Sequence, residues 1–121
     1  METTKFFVAC MIKALDDVHS KKIVHRDIKP DNLVFDDKGY LRLTDFGISR
    51  KYTPINASSS GTPGYMAPEI IEKKNYQYVS DFFGLGVIAY QCMLGRRPWK
   101  ATDKIVYRDS IRAMQAKVES D

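Results

Sequence analysis

Cysteine, long apolar runs and clustered charge are all scarce in this 121-residue sequence. Two cysteines are too few for a disulfide-dense secreted scaffold. Both stand in apolar helical stretches, so we expect Cys10 and Cys92 to be buried thiols of an intracellular protein, with the cytoplasm as the favoured compartment. The polar start at residues 1–5 is unlike a signal peptide. The most apolar stretch, 82–94, falls short of the ~20 residues that a membrane span requires, so the sequence predicts no membrane partner.

Residues with the same charge sign do not cluster along the sequence either. The 19 Lys and Arg residues are interspersed with 15 Asp and Glu residues, for a formal net charge of +4. Because no basic run or aromatic–basic array occurs, the sequence predicts a solvated mixed-charge surface and no nucleic-acid binding. The composition, 44% hydrophobic and 28% charged, is typical of a soluble globular domain. A G-x-G-x-x-G phosphate loop is also missing, because Gly84-Leu85-Gly86 has no third glycine and stands in a helical context.

What the sequence does contain is a mainly helical pattern. Apolar residues recur at helical spacing in three stretches. The predicted helices are 6–19, 80–94 and 105–118. The second is apolar on nearly all sides, which indicates a central buried helix. We expect Ser80 or Asp81 to cap it and Gly95 to end it.

A small β component lies between the first two helices. Residues 23–24 form a short β-branched strand. The runs 33–35 and 40–44, joined by a turn that contains Gly39, predict a β-hairpin, since glycine suits the positive φ of such a turn. Residues 48–68 are rich in Ser, Thr, Pro and Gly and predict a long loop.

Three short motifs follow one another within this pattern. Residues 25–32 read HRDIKPDN, residues 45–47 read DFG, and residues 67–69 read APE. In this order they resemble the catalytic loop, the metal-binding triplet and the end of the activation segment of eukaryotic protein kinases. The resemblance extends from Phe6 to Trp99, which is most of the chain.

The resemblance implies a protein-kinase-like fold. Residues 1–121 are then one partial kinase domain, running from the helix before the catalytic loop to the helix after the central buried one. This part is a mainly α C-terminal lobe with a small β-hairpin. The N-terminal β lobe and the last helices of a complete kinase are absent from it.

The same resemblance implies phosphoryl transfer from ATP with Mg²⁺. Asp27 takes the role of the carboxylate that accepts the proton of the substrate hydroxyl. Lys29, which points the same way along the loop, neutralises the transferring phosphate and contacts ATP. Asn32 and Asp45 supply the oxygen ligands that Mg²⁺ prefers, and thereby bind the nucleotide as well. The hairpin holds Asn32 at one end and Asp45 at the other.

Two features of the resemblance indicate the acceptor. Lys29 within HRDIKPDN is similar to serine/threonine kinases, and the segment 61–69 agrees, so the implied partner is a protein substrate with a Ser or Thr hydroxyl. Thr62 bridges the catalytic aspartate and lysine in that family. The segments 61–66 and 94–99 are similar to kinases related to the cyclic-nucleotide-dependent group.

Regulation is implied by Arg26, beside the catalytic aspartate. Such an arginine is a bidentate partner for phosphate, and in the family it pairs with a phosphorylated residue of the activation loop. Ser58, three residues before Gly61, matches the usual phosphosite, and Arg50 is a candidate second ligand. An upstream activating kinase would be a further partner. The competing phosphosites are Thr53, Ser59 and Ser60.

Four residues take structural roles in the resemblance. His25 and Phe46 belong to an apolar stack, so His25 is a packing residue rather than a metal ligand. Asp81 resembles the aspartate that binds the catalytic-loop backbone. Glu69 pairs in the family with an arginine far downstream, and we expect it to be an unpaired carboxylate here. His19 is expected to be a helix-end residue rather than a catalyst.

Three interpretations remain open at this point. The chain is a serine/threonine kinase represented in part, a non-catalytic lobe that binds a partner, or a truncated product without function. For the 121 residues alone we expect little activity, because ATP is held between two lobes. We also expect an exposed apolar surface around Phe6 and Phe7.

Overall fold

The first helix carries the apolar face that its sequence predicts. The computed structural model describes residues 2–53, 61–72, 76–99 and 104–120. Helix α1 spans Glu2–Ser20 and buries Met11 and Leu15, which are four residues apart and therefore share one face. At its end the amide of Lys22 donates to the carbonyl of His19, and Lys22 itself has a φ of +58°. This turn leads the chain into the first strand.

The predicted hairpin is present and is slightly shorter than expected. Strands β2 (Leu33–Phe35) and β3 (Leu41–Leu43) pair antiparallel, with Leu33 opposite Leu43. Gly39 has the predicted positive φ, +83°. The Asp36 carboxylate closes the turn by accepting the amides of Lys38 and Tyr40, each at 2.9 Å.

A second strand pair was not predicted. Strand β1 (Ile23–Val24) pairs antiparallel with β4 (Arg50–Lys51), which lies in the stretch assigned to a loop. A two-residue strand carries no detectable periodicity, so only its distant partner defines it. Because of this pairing, the chain on both sides of the DFG triplet is held: β3 ends just before it and β4 begins just after it.

The remaining helices are α2 (Pro68–Ile71), α3 (Tyr78–Leu94) and α4 (Lys104–Ser120). The predicted cap of α3 at Ser80 or Asp81 is wrong, because the helix already begins at Tyr78. Gln77 is the cap: its backbone carbonyl accepts the amide of Ser80 at 3.0 Å, while the Ser80 hydroxyl accepts the amide of Gln77 at 3.3 Å. Gly95 ends the helix as predicted, with a φ of +70°.

Two apolar clusters hold the elements together. The first joins α1, the catalytic-motif loop, β3 and α3 through buried Met11, Leu15, Ile28, Leu41, Leu85 and Ile88. The second joins β1, the segment around α2, and α4 through buried Val24, Met66, Ala67, Ile70, Tyr76 and Ile111. The loop that carries the HRD motif therefore lies between two cores, each of which restricts its movement.

Burial departs from the sequence-based expectation at three places. Cys92 is exposed and Cys10 is half-buried, so the prediction of two buried thiols is wrong. The last turn of α3 is also exposed rather than buried, with Leu94 at 55%. Phe6 is exposed as expected, whereas Phe7 is half-buried. Among the described residues, no helix is both long and apolar enough to cross a membrane.

Two glycines of α3 provide a matched test of the packing between the helix and the HRD loop. A Cβ on Gly84 would lie 2.8 Å from the Ile28 carbonyl oxygen, whereas a Cβ on Gly86 would meet nothing within 4 Å. We expect Gly84→Ala to lower the free energy of unfolding by about 1–3 kcal/mol, the usual cost of overpacking. Gly86→Ala should raise it by about 0.5–1 kcal/mol, because alanine favours a helix. Urea titration of both variants measures this, and equal effects would contradict the close approach.

Candidate active site

Asp27 lies in the loop between β1 and a short 3₁₀ turn at Pro30–Asn32. The Thr62 hydroxyl donates to Asp27 Oδ1 at 2.8 Å, and Lys29 Nζ lies 3.7 Å from Asp27 Oδ2. One carboxylate oxygen is thus held by a hydroxyl and the other faces an ammonium group. The side chains of Lys29 and Asp27 remain 23% and 17% exposed, so the group is fixed but open to a substrate.

Asn32 and Asp45 are brought together by the hairpin, as expected. Asn32 is buried, and its Nδ2 donates to the Asp27 carbonyl at 2.7 Å, which leaves Oδ1 as an acceptor. The amide of Thr44 donates to the Asn32 carbonyl at 2.8 Å. This bond places Asp45, the next residue, beside the beginning of β2.

Asp45 adopts a φ of +57°, an unusual conformation for a residue with a side chain. The amide of Gly47 donates to Asp45 Oδ1 at 3.1 Å, and the residue is exposed. Backbone strain of this kind is tolerated where the surrounding structure fixes the chain, often at functional sites. Here β3 and β4 fix it from both sides.

The donor set fits a magnesium ion. Asn32 Oδ1 and the Asp45 carboxylate are hard oxygen donors, the type that Mg²⁺ binds. The Asn32 amide nitrogen is already engaged with the Asp27 carbonyl, so the amide oxygen is the atom left to face a cation. Within the described ranges, no group of three or more His, Cys, Asp or Glu side chains could hold a metal. A cation here would therefore need ligands from its nucleotide and from water.

His25 is fully buried and is a packing residue in this structure. Its ring meets Phe46 edge to face, with centroids 4.8 Å apart. Nδ1 accepts the amide of Asp27 at 3.2 Å, so Nε2 carries the proton and donates to the Thr44 carbonyl at 2.9 Å. One neutral imidazole thus connects the loop of Asp27 to the end of β3, just before Asp45.

Asp81, in the first turn of α3, holds the backbone of the HRD loop. Its carboxylate accepts the amides of His25 and Arg26, each at 2.9 Å, and is 1% exposed. Burial raises the pKa of Asp81, but hydrogen bonds from His19, from Tyr76 and from the two amides outweigh it, and the net pKa is lowered. The carboxylate is therefore ionised, and its hydrogen-bond donors stabilise the negative charge.

The protein kinase domain family matches this chain over residues 1–121. The chain belongs to the protein kinase family. Among curated relatives, human cGMP-dependent protein kinase 2 is 40% identical over 106 residues, covering 86% of this chain and 14% of the relative. The cGMP-dependent protein kinase egl-4 of Caenorhabditis elegans is 41% identical over 103 residues, covering 84% of this chain and 13% of the relative.

A third relative extends the same pattern. In Drosophila melanogaster, cGMP-dependent protein kinase isozyme 2, forms cD5/T2, is 37% identical over 103 residues, covering 84% of this chain and 11% of the relative. These names confirm the resemblance to the cyclic-nucleotide-dependent group. The chain spans only a small part of the length of the relatives that it matches.

The predicted phosphate-binding arginines of the kinase domain are close enough to interact. Arg26 is buried with a φ of +77°, and its guanidinium lies 5.8 Å from the centroid of the Tyr76 ring. Burial lowers the pKa of Arg26, and the positive charge of Arg50 lowers it further. Ser58, the predicted phosphosite, lies outside the described residues, as do Ser59 and Ser60.

Glu69 of the APE triplet is not an unpaired carboxylate, so that expectation is wrong. The Ser80 hydroxyl donates to Glu69 Oε1 at 2.8 Å. Ser80 is buried in the first turn of α3, and the same hydroxyl accepts the amide of Gln77. Glu69 thus connects the end of the predicted activation segment to the beginning of α3.

A contact network ties the predicted activation segment to the end of α3. The Tyr65 hydroxyl donates to Gln91 Oε1 at 2.9 Å, and Arg97 lies over the Tyr65 ring with 5.7 Å to its centroid. Burial raises the pKa of Tyr65, so its hydroxyl remains a donor. Trp99 Nε1 donates to the Gly64 carbonyl at 3.2 Å. Sequence reasoning found none of these partners, because each pair is at least 26 residues apart.

Proposed function

We propose that this chain is the catalytic part of a serine/threonine protein kinase, which transfers the γ-phosphoryl group of ATP to a Ser or Thr hydroxyl of a protein. The observation that carries the proposal is the setting of Asp27. Its carboxylate receives the Thr62 hydroxyl on one oxygen and faces the Lys29 ammonium on the other. This arrangement holds a proton acceptor beside a positive charge in a site that remains open.

Each of the three side chains of the Asp27 site has one role in the proposed phosphoryl transfer. The substrate hydroxyl oxygen forms a bond to the γ-phosphorus of ATP, the bond from that phosphorus to the bridging oxygen breaks, and ADP leaves. Asp27 accepts the proton that the hydroxyl releases. Lys29 stabilises the negative charge of the transferring phosphoryl group. Thr62 fixes the carboxylate orientation through its hydrogen bond, so Asp27 does not have to reorganise during the reaction.

The metal and nucleotide would be held by the hairpin residues. Asn32 Oδ1 and the Asp45 carboxylate are the atoms that would bind Mg²⁺, which when bound supplies charge stabilisation for the phosphates. The buried side chain of Asn32 keeps its oxygen in place through the Nδ2 bond to the Asp27 carbonyl. Asp27 and Asn32 are thus connected to each other directly.

We further propose that residues 1–121 correspond to the C-terminal lobe of the kinase domain. The HRD, DFG and APE motifs, the buried Asp81 and the hairpin are the parts that the family places there. In that family ATP lies between this lobe and a Gly-rich loop and strand lysine. We therefore expect the 121-residue chain to transfer phosphate slowly when it is tested alone.

Regulation by phosphorylation is part of the proposal. Arg50 is near enough to Arg26 for its positive charge to lower the pKa of Arg26. A phosphate on Ser58 would bring two negative charges to these guanidinium groups and stabilise the segment before Gly61.

The test of the proposed function is a chimera. In human cGMP-dependent protein kinase 2, the stretch matched over 106 residues is replaced by the corresponding residues of this chain. We expect the purified chimera to phosphorylate a Ser-containing peptide from ATP, with no incorporation into the matched Tyr peptide. The rate of ³²P transfer is the measurement.

Two results would contradict parts of the proposal. A folded chimera that binds ATP without transferring phosphate would favour the alternative, a non-catalytic lobe that binds a partner. Undiminished activity of Ser58→Ala in the chimera would refute the regulatory role of that residue, while leaving the transfer reaction in place.

A further inference from the structure

The donors of Asp81 are divided evenly between its two carboxylate oxygens. Oδ1 accepts the amide of Arg26 at 2.9 Å and the Tyr76 hydroxyl at 2.6 Å. Oδ2 accepts the amide of His25 at 2.9 Å and lies 2.8 Å from His19 Nε2. Each oxygen therefore holds one amide of the HRD loop and one side chain that comes from a different element.

His19 is fixed in place from several directions. It stands in the last turn of α1, and its Nε2 must be the donor because its partner is an ionised carboxylate. Its ring packs on Tyr78 and Phe82, with centroids 4.8 and 5.6 Å away. Only 12% of the His19 side chain is exposed. The sequence-based assignment of a helix-end residue gave no indication of this contact, which spans 62 positions of the chain.

Tyr76 donates to the other oxygen of the same carboxylate. It is 4% exposed and belongs to the apolar cluster that contains Met66 and Ala67. The ring lies under the guanidinium of Arg26, while the hydroxyl donates to Asp81. One side chain thus contacts the predicted phosphate-binding arginine and the anchor of the catalytic loop. Burial and the Asp81 carboxylate raise the pKa of Tyr76, so the hydroxyl keeps its proton.

We propose that His19 and Tyr76 are positioning residues for phosphoryl transfer, which orient Asp81 so that it holds the backbone of His25 and Arg26, and through them Asp27, in the reactive geometry. The catalytic part of this inference rests on the proposed function. Neither residue touches Asp27, Asn32 or Asp45, and both act through Asp81. The two backbone amides hold one carboxylate oxygen each. The two side-chain donors restrict rotation about the χ2 angle of Asp81 further, because each is itself packed in place.

Hydrogen exchange of the 121-residue chain tests the positioning directly, without any requirement for activity. The variants are His19→Leu and Tyr76→Phe, each of which removes one donor and keeps an apolar side chain. Under native conditions we expect the amides of His25 and Arg26 to exchange about tenfold faster in both variants, because a hydrogen bond to the charged carboxylate that holds them is lost. The amide of Thr44, bonded to Asn32, is the internal reference.

Two further variants separate positioning from general destabilisation. His19→Gln places an amide donor near the position of Nε2 and should restore slow exchange at His25. Tyr65→Phe removes a hydroxyl that also donates to a side chain, Gln91, and should leave the His25 and Arg26 amides unchanged. Exchange that rises equally at all three amides, or does not rise at all, would overturn the proposal. If Tyr76→Phe does not fold, the His19→Leu and His19→Gln pair decides by itself.

The kinetic arm uses the chimera described above. There Tyr76→Phe should lower kcat about tenfold with KM for ATP unchanged, since small displacements of catalytic groups by distant residues slow reactions by up to ~100-fold. A raised KM with unchanged kcat would overturn the role in transfer. If the unsubstituted chimera has no activity, the proposed function fails, and the exchange measurement still decides whether His19 and Tyr76 orient Asp81.

Discussion

Replacing Asp27 by Asn in the chimera is expected to lower kcat by about 100- to 10,000-fold, the range that a positioned general base contributes. Asparagine preserves the shape of the side chain and can still accept the Thr62 hydroxyl. It cannot accept a proton from the substrate, and it presents no negative charge to Lys29. The measurement is the initial rate of ³²P transfer at saturating ATP. Because the hydrogen bond at 2.8 Å to Thr62 is retained, we expect the fold to be unchanged.

The matched control for this result is Asp37→Asn. Asp37 is exposed in the hairpin turn, so the same chemical change there should leave kcat within twofold. Far-ultraviolet circular dichroism and the unfolding temperature of both variants confirm that the fold is intact. An Asp27→Asn chimera that keeps more than a tenth of the activity would show that Asp27 is not the proton acceptor.

Contiguous motifs allowed the candidate site residues to be proposed from the sequence. Asp27, Asn32 and Asp45 stand in short segments whose residue types and order are rare by chance. The hairpin that brings the last two together has a strong local signal, since Gly39 marks its turn. These residues can be recognised in the sequence because each motif consists of only a few consecutive residues.

The long-range hydrogen bonds that support the candidate site could not be predicted in the same way. The bond between His19 and Asp81 spans 62 positions and the one between Thr62 and Asp27 spans 35. Neither has a periodicity or a spacing that a single sequence displays. The resemblance supplied the second, whereas no feature of the sequence singled out the first.

The backbone conformations of two site residues could not be predicted from the sequence either. Arg26 and Asp45 have φ values of +77° and +57°, although their types favour other regions. Such values are imposed by the surrounding cores and strands. The wrong prediction for Glu69 has a separate cause: its donor, Ser80, lies 11 positions away, in the first turn of α3.

The largest effect on stability is expected from Asp81→Asn. The carboxylate accepts four hydrogen bonds from His19, His25, Arg26 and Tyr76. An amide of the same shape offers one oxygen and places an NH₂ group against donors. We expect the free energy of unfolding at pH 7 to fall by about 3–5 kcal/mol, the usual cost of breaking a buried charge network by removing one partner. Urea titration measures it.

The pH dependence of the effect of this substitution on the unfolding free energy distinguishes Asp81 from exposed carboxylates. Because the pKa of Asp81 is lowered in the folded chain, its stabilising contribution is fully present above the ordinary value of 3.8 and is lost as the pH falls through the lower folded value. The difference in unfolding free energy between the unsubstituted chain and Asp81→Asn should therefore shrink as the pH falls below ~4.

The control for this pH profile is Asp16→Asn, at an exposed position of α1. Its effect should stay within about 0.5 kcal/mol at every pH, as for most surface substitutions. A difference for Asp81→Asn that grows as the pH falls would mean that the carboxyl is protonated in the folded chain. In that case the amides of His25 and Arg26 would be held by a neutral group, and the HRD loop would not depend on charge. A difference that shrinks shows that an ionised Asp81 holds the loop that carries Asp27.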